Sequence, residues 1–141
     1  MKSQSFGHAC AFFDSPRDES RSALPWLARG LAGGERLLFF VEPDKQDYWR
    51  AAFAGFAIDS PVLEEKGSIV FHGQLSDEPG HEFNSLRTAS SLWSVIEQSL
   101  PGYAGLRLLI DMQWTQDTGL PADKLCHWEA TLEYLLSDVA T

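Results

Sequence analysis

A chain of 141 residues, 44% of them apolar and with five Trp and nine Phe, carries enough material for one globular core and little for a second domain. Its formal net charge of −9 sets its surface against nucleic-acid phosphates and anionic lipid, so direct nucleic-acid or membrane binding is excluded and any part in gene control runs through a partner. No apolar run approaches the roughly 20 residues that cross a bilayer. The opening MKSQSFGHACAFF has no secretory apolar core, and Cys10 and Cys126 read as reduced thiols, so a cytoplasmic setting is expected.

In chain order, residues 6–13 (FGHACAFF) predict a strand, followed by the turn-like DSPRDES. Leu24, Leu27 and Leu31 at helical spacing predict a helix over residues 17–32, with Pro25 kinking or restarting it and Gly33-Gly34 stopping it. RLLFFV, residues 36–41, is the continuous apolar run of a strand covered on both faces. Asp44 is expected to cap a helix over residues 45–54, and residues 56–59 to form a short strand. SIVFH (68–72) predicts another strand and residues 73–83 a polar loop; Asn84 or Ser85 then caps a helix running to Leu100. LRLLID (106–111) is a buried strand, residues 117–121 form a loop, and the last helix, about 122–136, sets Leu125, Trp128, Leu132 and Leu135 on one face.

The alternation of strand and helix predicts an α/β fold, a three-layer α/β/α sandwich with a mostly parallel sheet, in one domain over residues 1–141. Ligands of such sheets bind beyond the carboxyl ends of the strands, here Phe13-Asp14, Glu42, His72-Gly73 and Asp111 to Trp114. A strand ending on a lone acid is also how nucleotide hydrolases hold magnesium. Their phosphate loop, however, needs close glycines and a Lys followed by Ser or Thr between the first strand and the first helix. That position reads Asp14-Ser15-Pro16-Arg17-Asp18-Glu19, without Gly or Lys and with three acids that repel phosphate. The Gly30 to Gly34 cluster leads into Glu35-Arg36 and a strand, so it does not supply the loop.

His8 and Cys10, two apart on a strand, share a face and suit either a pocket lining or a satisfied core pair. Asp111 suits a ligand contact or a cap of the following loop. Trp26 and Trp114 suit walls of an apolar pocket or plain packing. Glu19 suits the pocket rim or the solvated run Arg17-Asp18-Glu19-Ser20-Arg21. No tight spacing of His, Cys and Asp signals a metal site, and no Gly-x-Ser-x-Gly turn or workable Cys–His pair signals nucleophilic catalysis, so no cofactor, metal or enzymatic activity is expected.

The ordered landmarks His8-x-Cys10, Phe13, the acid Glu19 or Asp18, Pro25-Trp26-Leu27, Gly30-Leu31, Gly34-Glu35, Gly105-Leu106-Arg107, Asp111-Met112-Gln113-Trp114 and Trp128-Glu129-Ala130-Thr131-Leu132 span nearly the whole chain. Together they resemble the MEDS domain, a sensory domain named for methanogens, methylotrophs and the dichloromethane regulator. The departures are Asp111 for the family's usual Glu, Ile110 for its Gly and Phe13 for its Tyr. The resemblance implies a degenerate RecA/KaiC-like fold without a phosphate loop, and a non-enzymatic sensor of a small, hydrocarbon-derived molecule. It would act through a signalling or transcriptional partner and leaves a homodimer open. On this resemblance the ligand-binding set is His8, Cys10, Phe13, Glu19, Trp26, Asp111 and Trp114. A ligand-free interaction module in a sigma-factor or two-component pathway is the alternative, and residual nucleotide binding the third.

Overall fold

The computed structural model describes residues 15–73, 83–113, 115 and 119–139. The strand expected over residues 6–13 lies outside them. Its class is α/β, with a three-stranded, all-parallel sheet among the described residues. The residues group into two compact units.

The first unit holds residues 15–73 and 99–111 of the described chain. Its elements are α1 (Pro16–Ala32), β1 (Arg36–Phe40), α2 (Pro43–Gly55), α3 (Ser60–Lys66), β2 (Ile69–His72) and β3 (Leu106–Ile110). The sheet order is β2-β1-β3, so β1 is central. Leu37 pairs with Ile69 on one side and Arg107 on the other, and Phe40 with His72 and Ile110. Leu37, Phe39 and Val41 pack with Leu24 and Leu27 of α1, Trp49 and Phe53 of α2, and Ile69. Phe39 is the hub, its ring centroid 5.3 Å from Trp49, 5.7 Å from Phe53 in an edge-on contact, and 4.9 Å from Phe71. Leu38 and Phe40, on the opposite face, are buried as well. Burial on both faces is what an unbroken run such as RLLFFV requires.

Local chemistry explains the helix boundaries. Ser15 caps α1 by accepting the Asp18 N–H at 3.2 Å, and Pro16 sits at the first helical position, where its missing N–H costs nothing. Pro25 neither ends α1 nor starts a new helix; the helix runs on through it, with Leu24 and Leu27 buried on either side. Gly33 closes the helix by donating to Arg29 and Gly30, and Gly34 takes φ 79°, the left-handed backbone that favours glycine.

Two expectations are corrected here. Asp44 does not cap α2: Pro43, with φ already fixed for a helix, starts it two residues earlier than expected, and Asp44 lies in the first turn. Residues 56–59 form a turn, not a strand, with Ala57 at φ 61°. The chain then enters α3, a short helix whose Asp59 accepts the Val62 N–H at 3.4 Å. Its sequence signals were Asp59 before Pro61 and the closing Lys66-Gly67, and seven residues are too few to show helical periodicity.

The second unit holds α4 (Ser85–Ser99, its last residue belonging to the first unit) and α5 (Ala122–Val139). Asn84 is the cap of α4, accepting the Arg87 N–H at 3.0 Å. Phe83 meets Trp128 edge to face at 5.9 Å, and His127 Nδ1 lies 3.1 Å from Ser85 Oγ. Trp128 and Leu132 are buried and Leu125 half-buried, so these three share the expected apolar face of α5.

Candidate site at the carboxyl end of the sheet

The three strands end level. Val41 N–H donates to His72 O at 3.4 Å and Asp111 N–H to Phe40 O at 3.0 Å, so the pairing carries one residue past β1 and β3. Side chains alternate across a sheet, so Asp111 emerges on the same face as Arg107 and Leu109, the face covered by α1 and α2. There the Lys45 ammonium, in the first turn of α2, donates a hydrogen bond to the Asp111 carboxylate. The Asp111 side chain is 15% exposed and that of Lys45 31%, so water screens the pair only in part.

Glu19 completes the group from the first turn of α1. Burial, then the negative field of Asp111, push its carboxyl above the usual range, against the pull of Lys45. Burial works to lower the Lys45 ammonium, but the hydrogen bond to Asp111 and the fields of Asp111, Glu42 and Glu19 outweigh it and raise the ammonium above its usual value. The Lys45 ammonium thus pairs with Asp111 and feels the fields of Glu19 and Glu42. A hydroxyl from α1 fixes the neighbouring helix: Ser20 Oγ lies 3.0 Å from the Tyr48 hydroxyl on α2. The arrangement can offer a small molecule hydrogen-bond acceptors and one ammonium while repelling a polyanion such as a triphosphate.

α1 runs antiparallel to β3, so while Glu19 falls beside Asp111, the end of α1 falls beside Arg107. Arg107 donates from Nε to Glu35 at 2.6 Å and from a terminal nitrogen to the Trp26 carbonyl at 2.5 Å, and its guanidinium lies 5.1 Å from the Trp26 ring centroid. Gly30 makes room for it: a Cβ there would stand 2.6 Å from Arg107 Cδ. Gly105 does the same for Glu35, whose Oε1 would lie 3.1 Å from a Cβ. Trp26, Gly30, Glu35, Gly105 and Arg107 are therefore one latch at the amino end of the sheet. It ties α1 to β3 and sits four residues along β3 from Asp111, about 13 Å.

Of the residues singled out in the sequence, Glu19 and Asp111 feel each other's charge at the sheet end and Trp26 lies apart in the latch. His8, Cys10, Phe13 and Trp114 fall outside the described residues. His72 points to the opposite face of the sheet, its ring stacked on Phe40 at 4.9 Å with Nε2 buried and unpartnered. Burial lowers its pKa. Sequence reasoning missed Lys45. Its signal was a lone cation four residues beyond a buried strand, among the acids of Glu42-Pro43-Asp44. Among the described residues no three His, Cys, Asp or Glu converge as metal ligands, and no helix is long and apolar enough to cross a membrane.

A family model described as MEDS, the methanogen/methylotroph, DcmR sensory domain, matches residues 7–141. No curated protein and no solved structure matches the chain.

Proposed function

The chain belongs to the MEDS family of sensory domains, and on that premise we propose that it is a non-enzymatic, cytoplasmic module that binds a small molecule at the carboxyl end of its sheet. The bound state is passed to a signalling or transcriptional partner. One observation carries this reading: the Lys45–Asp111 ion pair, with the half-buried Glu19 carboxyl within the field of both, stands at the end of the sheet where parallel α/β folds take their ligands. An isolated surface ion pair would not need a third, partly buried carboxylate beside it.

The ligand class that fits is a small molecule with an apolar body and a polar head that hydrogen-bonds to the carboxylates or displaces Lys45. A nucleoside triphosphate fits poorly. α1 starts at Pro16 directly after its own Ser15 cap, and the first acid on that helix, Asp18, already gives its N–H to Ser15. No glycine-lined loop precedes it to surround phosphate.

Amide chemical-shift mapping tests the reading. Titration with short alkanes, haloalkanes, alcohols and amines should move the resonances of Glu19, Lys45 and Asp111 together for one of these classes. Shifts that spare all three residues would sink the assignment.

A further inference from the structure

We propose that α1 is a lever hinged at Pro25, its second half anchored to the sheet and its first half seated or released by the charges at the sheet's carboxyl end. What moves the lever rests on the site proposed above; the hinge itself does not.

Pro25 lies in the interior of a 17-residue helix. It has no N–H to return to the Arg21 carbonyl, and its ring crowds that carbonyl. Ser20 loosens the turn before it: its hydroxyl donates to the Arg17 carbonyl at 3.0 Å and competes with the helical bond there. Pro25 is exposed, so core packing does not call for a ring at this position.

The two halves are held differently. Beyond Pro25, Leu27 is fully buried and Leu31 packs on the core. Arg107 of β3 reaches the Trp26 carbonyl and fills the space beside Gly30. Before Pro25, Leu24 enters the core with only Ala23 beside it, and Pro16, Arg17, Asp18, Arg21 and Ser22 are exposed. The first half is tied to α2 by the 3.0 Å contact of Ser20 Oγ with the Tyr48 hydroxyl.

Glu19 works against that tie. Seating the first half takes its carboxylate partly out of water and into the field of Asp111, which Lys45 offsets only in part. Lifting it returns Glu19 to water. A molecule that gives Glu19 a hydrogen bond or a positive charge removes this cost and seats the half helix, so occupancy of the site becomes the position of α1. Hinges of this kind need only a few residues to absorb the movement.

Amide hydrogen exchange at pH 7 tests the hinge with no ligand present. A failed ligand search therefore leaves the hinge standing, and a failed hinge leaves the site standing. The helical acceptors of the Trp26, Leu27 and Ala28 N–H groups are Ser22, Ala23 and Leu24, across Pro25. These three amides are expected to exchange at least about tenfold faster than those of Arg29, Gly30 and Leu31, and no more slowly than those of Ser22, Ala23 and Leu24. Pro25→Ala, at an exposed position, restores the missing bond and should slow the three at least about tenfold. Glu19→Gln should slow them about two- to fivefold, whereas Asp18→Asn, on the exposed side of the same turn, should not. Protection that climbs steadily from Arg21 to Leu31 is fraying from the helix end and would overturn the proposal. So would unchanged exchange in Pro25→Ala, or equal effects of Glu19→Gln and Asp18→Asn.

Discussion

Replacing Gly30 with Ala should destabilise the protein, although the same change in most helices stabilises. Gly30 lies in the last turn of α1. Removing a helical glycine there gains about 0.5–1 kcal/mol. The new Cβ, however, would stand 2.6 Å from Arg107 Cδ and 2.9 Å from its Nε, so the Arg107 side chain must leave. It then gives up its hydrogen bonds to Glu35 and the Trp26 carbonyl and its place over the Trp26 ring. Hydrogen bonds to charged groups contribute about 1.5–3 kcal/mol each. With the Arg107 and Glu35 side chains 23% and 25% exposed, the lower part of that range applies. Two such bonds come to about 3 kcal/mol, so the difference is a net loss of about 2–2.5 kcal/mol. Urea unfolding followed by tryptophan fluorescence should show a midpoint lowered by roughly 1 M at unchanged slope. The decisive arm is the double variant. In an Arg107→Ala background the clash and the contacts are both gone, so Gly30→Ala should stabilise by about 0.5–1 kcal/mol. A raised midpoint for Gly30→Ala in the unaltered chain, or the same sign in both backgrounds, would refute the latch.

Glu19→Gln should stabilise the chain at pH 7. The folded-state pKa of Glu19 is raised from 4.5, so its contribution is present below that pH and is lost as pH rises through the folded value; the gain from Gln should fade below about pH 4.5. Thermal unfolding between pH 4 and 8 reads this directly, and an advantage that grows on acidification would contradict it. Ala57→Gly should stabilise by up to about 1 kcal/mol, because φ 61° carries no penalty for glycine; a lowered unfolding temperature would show that the Ala57 methyl packs more than the backbone strains.

Strong local signals made much of this fold legible. RLLFFV could only be a strand buried on both faces, and the double glycine after Ala32 could only end a helix. The alternation of apolar runs with helical spacing gave the α/β class and the parallel sheet. What escaped depended on chemistry over one or two residues. The start of α2 shifted because Pro43 out-competes Asp44 as a helix initiator, and α3 was too short to show its period. The site was half legible. Asp111 announces itself at the end of a buried strand, and Glu19 came with the family landmarks. Lys45 did not, because its role follows from the register that sets Asp111 opposite the first turn of α2, a long-range fact with no local signature. The glycines and Arg107 of the landmarks were legible as a pattern but not as a purpose. Only packing shows that Gly30 and Gly105 are spaces for Arg107 and Glu35.

The most direct test of ligand sensing is thermal unfolding of the chain and of its Asp111→Asn and Lys45→Met variants. Each is measured alone, with Mg·ATP, and with short alkanes, haloalkanes, alcohols and amines. A ligand at 100 times its Kd adds about 2.7 kcal/mol, which for a domain of this size raises the unfolding temperature by roughly 5–10 °C. The account predicts such a rise for one class of small molecule, its loss in both variants, and no rise with Mg·ATP. A rise with Mg·ATP, a rise that survives both substitutions, or no rise with any compound would contradict it.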